Sequence, residues 1–191
     1  MSDYYHKNYK NYFDSTFKID PSSFLSPLIH FLKPGAQILD VGCGSGRDLL
    51  WLKKRGFQVR GLERSPGLAS LAGSYSQCRV IEGDFKIYDF SKIKVDAIIL
   101  IGALVHINHH DFKTIFERIA LGCKSGGMIQ ITIKEGTGYQ IADDGRKFYL
   151  WQDETLRNFF KNSLYQILYF RREVSKLNNT DIWLNYILRK P

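Results

Sequence analysis

The feature that most limits how this chain can fold is a short apolar run, Ile38-Leu39-Asp40-Val41, that passes directly into Gly42-Cys43-Gly44-Ser45-Gly46. An amphipathic stretch over 47–55 follows, and Gly56 closes it. Strand, glycine loop and helix form the first unit of a doubly wound α/β sheet, whose ligands lie beyond the carboxyl ends of the strands. Glycines suit that turn because they reach positive φ and let a ligand approach the backbone. The spacing narrows the ligand. A dinucleotide fingerprint reads G-x-G-x-x-G. Here the pattern is G-x-G-x-G, and Arg47 stands where the third glycine of that fingerprint belongs. No G-x-x-x-x-G-K-S/T run is present, which excludes a Walker-type phosphate loop.

The rest of the chain alternates apolar runs with amphipathic ones and shows no internal repeat or long linker. Strands are predicted over 38–41, 57–62, 78–81, 95–101, 128–133, 165–172 and 181–188, and helices over 3–17, 22–32, 47–55, 66–72, 110–121 and 153–161. Ala97-Ile98-Ile99-Leu100-Ile101 is apolar throughout, as a strand covered on both faces requires. Ser65 is a candidate helix cap, and Asn178-Asn179 suits a turn between two late antiparallel strands. The expected fold is therefore α/β and Rossmann-like: a doubly wound, mostly parallel seven-stranded sheet with an antiparallel C-terminal hairpin, in three α/β/α layers. The expected organisation is one domain over 1–191. Within it, 1–33 form a helical lid and 134–152 a substrate-side insertion.

Composition bounds the function. The chain has 191 residues, 44% hydrophobic and 24% charged, as in an ordinary soluble globular domain. The longest apolar run, over 97–105, falls well short of the roughly 20 residues of a membrane span. The first residues, Met1-Ser2-Asp3-Tyr4-Tyr5-His6, carry no apolar signal core. A cytoplasmic protein with no membrane contact is expected. Cys43, Cys78 and Cys123 are scattered and make neither a disulfide framework nor a zinc set, so no metal is expected. Cys43 reads as a space-filler under the tight turn. Net charge is +8, with the excess after Gly145, which admits an anionic or RNA partner or a simple solvated basic surface.

Residues 38–46 resemble the first motif of the class I S-adenosylmethionine-dependent methyltransferases. Three further segments agree in order and spacing: Glu63 ending the second strand, Gly83-Asp84-Phe85 after the third, and Ile101-Gly102-Ala103-Leu104-Val105-His106 at the end of the fourth. Tyr12-Phe13-Asp14-Ser15-Thr16, Gly46-Arg47-Asp48, Gly145-Arg146-Lys147-Phe148 and Trp183-Leu184-Asn185 resemble a small subgroup of stand-alone bacterial domains in that family. The resemblance implies S-adenosylmethionine as cofactor, with S-adenosylhomocysteine as its product. It implies cofactor contacts at Tyr12, Thr16, Asp40, Gly42, Gly44, Arg47, Glu63, Arg64, Asp84, Phe85 and Ile101. In that family the strand-end acid binds the amino group, the second acid bonds both ribose hydroxyls, and the third accepts from the adenine amino group. Phe85 is expected to flank the ring.

His106 stands past the fourth strand. It is expected either to take a proton from the acceptor, as an imidazole can near neutral pH, or only to shape the pocket. Lys134, Arg146 and Tyr149 are the expected acceptor-side residues, with Arg146 able to grip a carboxylate or phosphate bidentately. His109 and His110 are expected at the exposed start of a helix. The expected activity is in-line methyl transfer to a small-molecule acceptor. The alternatives are methylation of RNA or another macromolecule, and a non-catalytic cofactor-binding regulatory domain. An oxidoreductase is a fourth reading, which preferential NAD binding would favour. Neither the acceptor nor the oligomeric state is legible in the sequence.

Overall fold

The computed structural model describes residues 4–178 and 180–191. Asp3, expected to open the first helix, and Asn179, expected in the last turn, lie outside the described residues. The seven predicted strands form one sheet: β1 (Gln37–Val41), β2 (Gln58–Glu63), β3 (Arg79–Glu82), β4 (Val95–Ile101), β5 (Cys123–Lys134), β8 (Gln166–Val174) and β9 (Ile182–Arg189). Their order is β3-β2-β1-β4-β5-β9-β8. β1 pairs in parallel with β2 and β4, and β4 with β5, whereas β9 runs antiparallel to both β5 and β8. The chain reverses direction across the sheet at β1 and β4, which opens the crevice where a ligand can lie.

The central strands are apolar on both faces because helices cover both. On one face Leu39, Ile98, Leu100, Ile129 and Ile131 pack with Phe112, Phe116 and Phe160. These aromatics come from α6 (His109–Ala120) and α7 (Asp153–Asn162). On the other face Ile38, Ala97, Ile99 and Met128 meet Leu25, Leu28, Trp51 and Leu52. Those residues come from α3 (Ser22–Ile29) and α4 (Arg47–Lys53). Successive residues of each strand therefore enter opposite layers, as a pleated strand dictates. Helix α5 (Pro66–Ser76) starts as expected, with Pro66 at its first turn and the Ser65 hydroxyl accepting from the Leu68 N–H.

Three expectations change. The stretch 3–17 is two helices, α1 (Tyr4–Lys7) and α2 (Tyr9–Thr16), which meet near Asn8. The helix expected to reach residue 32 ends at Ile29, ahead of Pro34-Gly35. The polar insertion holds a two-stranded antiparallel ribbon, β6 (Tyr139–Ile141) and β7 (Lys147–Tyr149). Three-residue strands among Gly, Asp and Arg carry too little hydrophobic alternation to be read from sequence.

The glycine loop is tight for stated reasons. Gly42, Gly44 and Gly46 all have positive φ. A Cβ on Gly46 would lie 2.8 Å from Ala72 of α5. Cys43 fills space as expected: its sulfur lies 2.6 Å from where a Cβ on Gly61 would be, so the glycine in β2 makes room for it. Gly46→Ala is expected to lower stability by about 2–4 kcal/mol, from left-handed strain plus the clash. Gly35→Ala, also at positive φ but with nothing within 4 Å, is expected to cost only the strain, about 1–2 kcal/mol. Thermal melts of the pair check this; equal losses would refute the close approach.

Candidate functional site

A cavity of about 540 Å3 opens at the carboxyl edge of the sheet, within the range of about 300–1,000 Å3 that holds small molecules. The glycine loop forms its floor. Tyr12 and Thr16 of α2, Asp40 at the end of β1, and Arg47 at the start of α4 line one end. Ile101-Gly102, Thr132 and Lys134 line the middle, at the ends of β4 and β5. The ribbon and the β8–β9 hairpin close the far side, with Phe148, Trp183 and Asn185 facing in.

Asp40 is the most unusual group here. It is 2% exposed, and its Oδ2 has no hydrogen-bond partner. Burial, with Asp48 close by, holds its pKa well above the usual carboxylate range. A buried acceptor without a donor is costly, and a cationic donor arriving there would relieve it. Arg47 stands beside it. Its Nε donates to Asp48 Oδ1 at 2.7 Å and its guanidinium lies over the Phe24 ring at 5.2 Å. Gly44 meets Tyr12, whose ring lies 3.3 Å from the position of a Cβ. The Thr16 hydroxyl donates to the Tyr12 carbonyl. An anionic acceptor and a guanidinium side by side suit the ammonium and carboxylate of an amino-acid moiety.

The structure thus brings Tyr12, Thr16, Asp40, Gly42, Gly44, Arg47, Ile101, Lys134 and Arg146 to one cavity. Glu63, Arg64, Asp84, Phe85, His106 and Tyr149 are not among its lining residues. Glu63 is buried, and its two oxygens accept from Gly44 N–H at 3.0 Å and Ser65 N–H at 2.8 Å. Asp84 Oδ1 accepts from Lys86 N–H, and its Oδ2 lies 4.0 Å from Arg64 Nη1. These three sit together at the carboxyl ends of β2 and β3, on the other side of the glycine loop. Phe85 differs from expectation: its side chain joins the core cluster with Leu62 and Phe90 instead of standing open to a ring.

His106 also corrects the simple reading of a base facing the acceptor. Its Nδ1–H donates to the Lys147 carbonyl at 2.6 Å, which leaves Nε2 as the acceptor for the Tyr5 hydroxyl at 2.8 Å. Burial lowers its pKa to about 4, the carbonyl partly offsets this, and Arg146 and Lys134 lower it further. It is therefore neutral at pH 7, and Tyr5, which lines the cavity, stands in front of it. Tyr5 was legible in the sequence only as one member of an aromatic helical stripe.

The other acceptor-side expectations meet internal partners. Arg146 grips Asp144 and lies over the Tyr4 ring at 4.4 Å. Lys134 pairs with Asp181 at 2.6 Å, under the Phe148 ring. Tyr149 turns outward beside His109 and Tyr139. His109 and His110 are exposed at the start of α6, as expected. Much of the basic excess after Gly145 is likewise engaged: Arg157 with Asp153, Arg172 with Glu135, and Lys190 with two carbonyls. Among the described residues no group of His, Cys, Asp and Glu could hold a metal, and no helix is long and apolar enough to cross a membrane.

Comparison with known proteins adds to this geometry. Residues 38–127 match the family model described as a methyltransferase domain. A sterol 24-C-methyltransferase of Yarrowia lipolytica is 31% identical over 111 residues, covering 52% of this chain and 28% of that protein. The chain thus matches little more than a quarter of the length of this curated relative. In three dimensions the chain resembles the Burkholderia thailandensis 1,6-didemethyltoxoflavin N1-methyltransferase, whose structure holds 1,6-didemethyltoxoflavin and S-adenosylhomocysteine. The TM-score is 0.76 at 20% identity, over 98% of this chain and 84% of that one. It also resembles the magnesium protoporphyrin IX methyltransferase of Synechocystis with bound S-adenosylmethionine. There the TM-score is 0.68 at 14% identity, over 97% and 81% of the two chains.

The His106 environment makes a pH prediction. Unfolded His106 takes a proton near its ordinary 6.5 and folded His106 only near 4. Between these values the unfolded state binds more protons, so stability falls as pH is lowered from 6.5 toward 4. In His106→Gln that part of the pH slope is expected to vanish in denaturant melts at pH 7, 5.5 and 4.5. Equal slopes in the two proteins would contradict the buried neutral imidazole.

Proposed function

We propose that this chain, whose residues 38–127 match the methyltransferase-domain model, is a class I S-adenosylmethionine-dependent methyltransferase that transfers a methyl group from that cofactor to a small-molecule acceptor. The observation that carries this reading is Asp40, a buried carboxylate with an unpartnered oxygen beside Arg47 in the glycine loop. Asp40 suits the ammonium of the cofactor's methionine end and Arg47 its carboxylate. Tyr12 and Thr16 close over that end from α2. Glu63, held by backbone N–H groups that include those of Gly44 and Ser65, has acceptor capacity left to meet a ribose hydroxyl. Asp84 and Arg64 take the adenine edge. When bound, S-adenosylmethionine supplies an activated methyl group on a sulfonium.

The chain's own task is to orient the acceptor, exclude water and manage one proton. Tyr5 is the proposed catalytic group. Its oxygen takes the acceptor's proton while its own proton passes to His106 Nε2. His106 acts behind it as a positioning residue, held in one tautomer by the Lys147 carbonyl. A weak base suffices, because forming the new bond to the methyl carbon makes the acceptor's own proton acidic. The helical segment before β1 serves as a lid and the 134–152 insertion as the acceptor side. Both contribute to the Tyr5–His106–Lys147 connection. The acceptors for which the similar proteins are named, a toxoflavin precursor, a porphyrin and a sterol, are small molecules and support this reading. A cytoplasmic location belongs to the same proposal.

Calorimetry with S-adenosylhomocysteine and NAD tests the cofactor, and preferential NAD binding would overturn the reading. Asp40→Asn is expected to raise the melting temperature of the unliganded protein, since a desolvated carboxylate is removed, and to weaken S-adenosylhomocysteine by about tenfold or more. Unchanged affinity would remove Asp40 from the site. Once an acceptor is found, Tyr5→Phe is expected to lower kcat by about 10²-fold or more with little change in cofactor affinity. Full activity of Tyr5→Phe would eliminate the relay. Cofactor binding without turnover over a broad acceptor panel would instead favour a regulatory domain, and salt-dependent capture of tRNA would favour a macromolecular acceptor.

A further inference from the structure

The mouth of the cavity is ringed by apolar side chains that face solvent. Ile141, Val174 and Leu177 line it, yet are 64%, 61% and 63% exposed. Tyr139 and Ile182 extend the ring. Tyr139 lies two residues from Ile141 on β6, on the same face, and Ile182 pairs directly with Val174 across the β8–β9 hairpin. Exposed apolar surface gathered at one opening marks a binding surface rather than chance exposure. Further in, the Trp183 ring lies 3.4 Å from where a Cβ on Gly102 would stand, at the end of β4. Trp183 therefore carries apolar surface from the rim toward the middle of the cavity.

Charge limits what this surface takes. Four cations line the cavity, and each already has a partner. Arg47 holds Asp48, Lys134 holds Asp181, Arg146 holds Asp144, and Lys176 donates to the Asp20 carbonyl. Asp143 and Glu173 line it as well. Arg47 is taken by the cofactor's carboxylate and Lys176 is exposed to water, so an anionic acceptor would have to separate Lys134 or Arg146 from its carboxylate or lie against Asp143 and Glu173, and either is costly.

We propose that the acceptor is a small molecule with an apolar body and no anionic group, whose body rests on Ile141, Val174, Leu177 and Trp183 while its nucleophilic atom reaches toward Tyr5. This deepens the methyltransferase reading and rests on it. It commits the exposed rim to substrate rather than to a lipid surface or a second copy of the chain.

Two dyes with one anilinonaphthalene body test it: neutral N-phenyl-1-naphthylamine and its anionic counterpart 8-anilino-1-naphthalenesulfonate. Each is titrated into the full chain saturated with S-adenosylhomocysteine. The neutral dye is expected to bind one per chain, and the sulfonate about tenfold more weakly or less. Ile141→Glu and Leu177→Glu are each expected to weaken the neutral dye about fivefold or more. Neither should change the melting temperature or the calorimetric affinity for S-adenosylhomocysteine. Leu121→Glu, at an exposed apolar residue away from the cavity, should change nothing. Equal or tighter binding of the sulfonate, or indifference of the neutral dye to both rim variants, would overturn the proposal. So would a dimer in sedimentation that Leu177→Glu dissolves, or binding of the protein to phosphatidylcholine vesicles that the same change abolishes. Failure of S-adenosylhomocysteine to bind in the first place would strike the methyltransferase reading instead, so the two failures are distinguishable.

Discussion

One buried carboxylate holds the working edge of this molecule together. Glu63 ends β2 and accepts N–H groups from Gly44 on one side and Ser65 on the other. Burial raises its pKa, and the backbone donors pull it back. Charge-assisted bonds from two oriented N–H groups are what make such a group tolerable inside a protein. The result is a clasp between the glycine loop and the loop that starts α5. Ser65 continues the chain, for its hydroxyl donates to the Tyr5 carbonyl. Tyr5 then bonds His106, and His106 bonds the Lys147 carbonyl of the ribbon. Hydrogen bonds therefore link the glycine loop, the N-terminal helices, the end of β4 and the insertion.

This connection joins the N-terminal helices to the cavity and the insertion. The N-terminal helices pack onto α5 closely enough that a Cβ on Gly67 would lie 2.6 Å from the Tyr9 ring. They bring Tyr5 and Tyr12 edge to face at 5.0 Å. Arg146 reaches the same cluster from the ribbon, over Tyr4 and Tyr5. A ligand that fills the cavity thus touches elements from both ends of the chain. The pairing of the lining cations belongs to the same economy of charge: a cavity that carried unpaired lysines and arginines could not be both closed and apolar at its mouth.

How much of this was legible depended on the range of the interaction. The sheet was legible because each strand is a local run of apolar residues and each turn is marked by glycine, proline or asparagine. The glycine loop was legible because its function needs backbone freedom, which only glycine supplies. Asp40, Arg47 and Glu63 were legible as candidates through the resemblance of their segments to the motifs of the methyltransferase family. Phe85 was misjudged because an aromatic beside a binding acid can face ligand or core, and only the packing with Leu62 and Phe90 decides. Arg146 and Lys134 line the cavity, but their ion pairs were not legible, since a basic residue near a site looks unengaged until Asp144 and Asp181 arrive, the latter from 47 residues further on in Lys134's case.

By itself the sequence determined the doubly wound architecture and the place of the cofactor loop, since both rest on local patterning and on the conformational freedom of glycine. The tertiary structure decided which side chains share the cavity and which are already partnered. Tyr5 and His106 lie 101 positions apart and meet at 2.8 Å; no spacing rule joins them. The apolar rim likewise exists only because two hairpins distant in sequence present their outer faces at one opening. Long-range packing sets those neighbours, and the proposed proton path and acceptor rest on them.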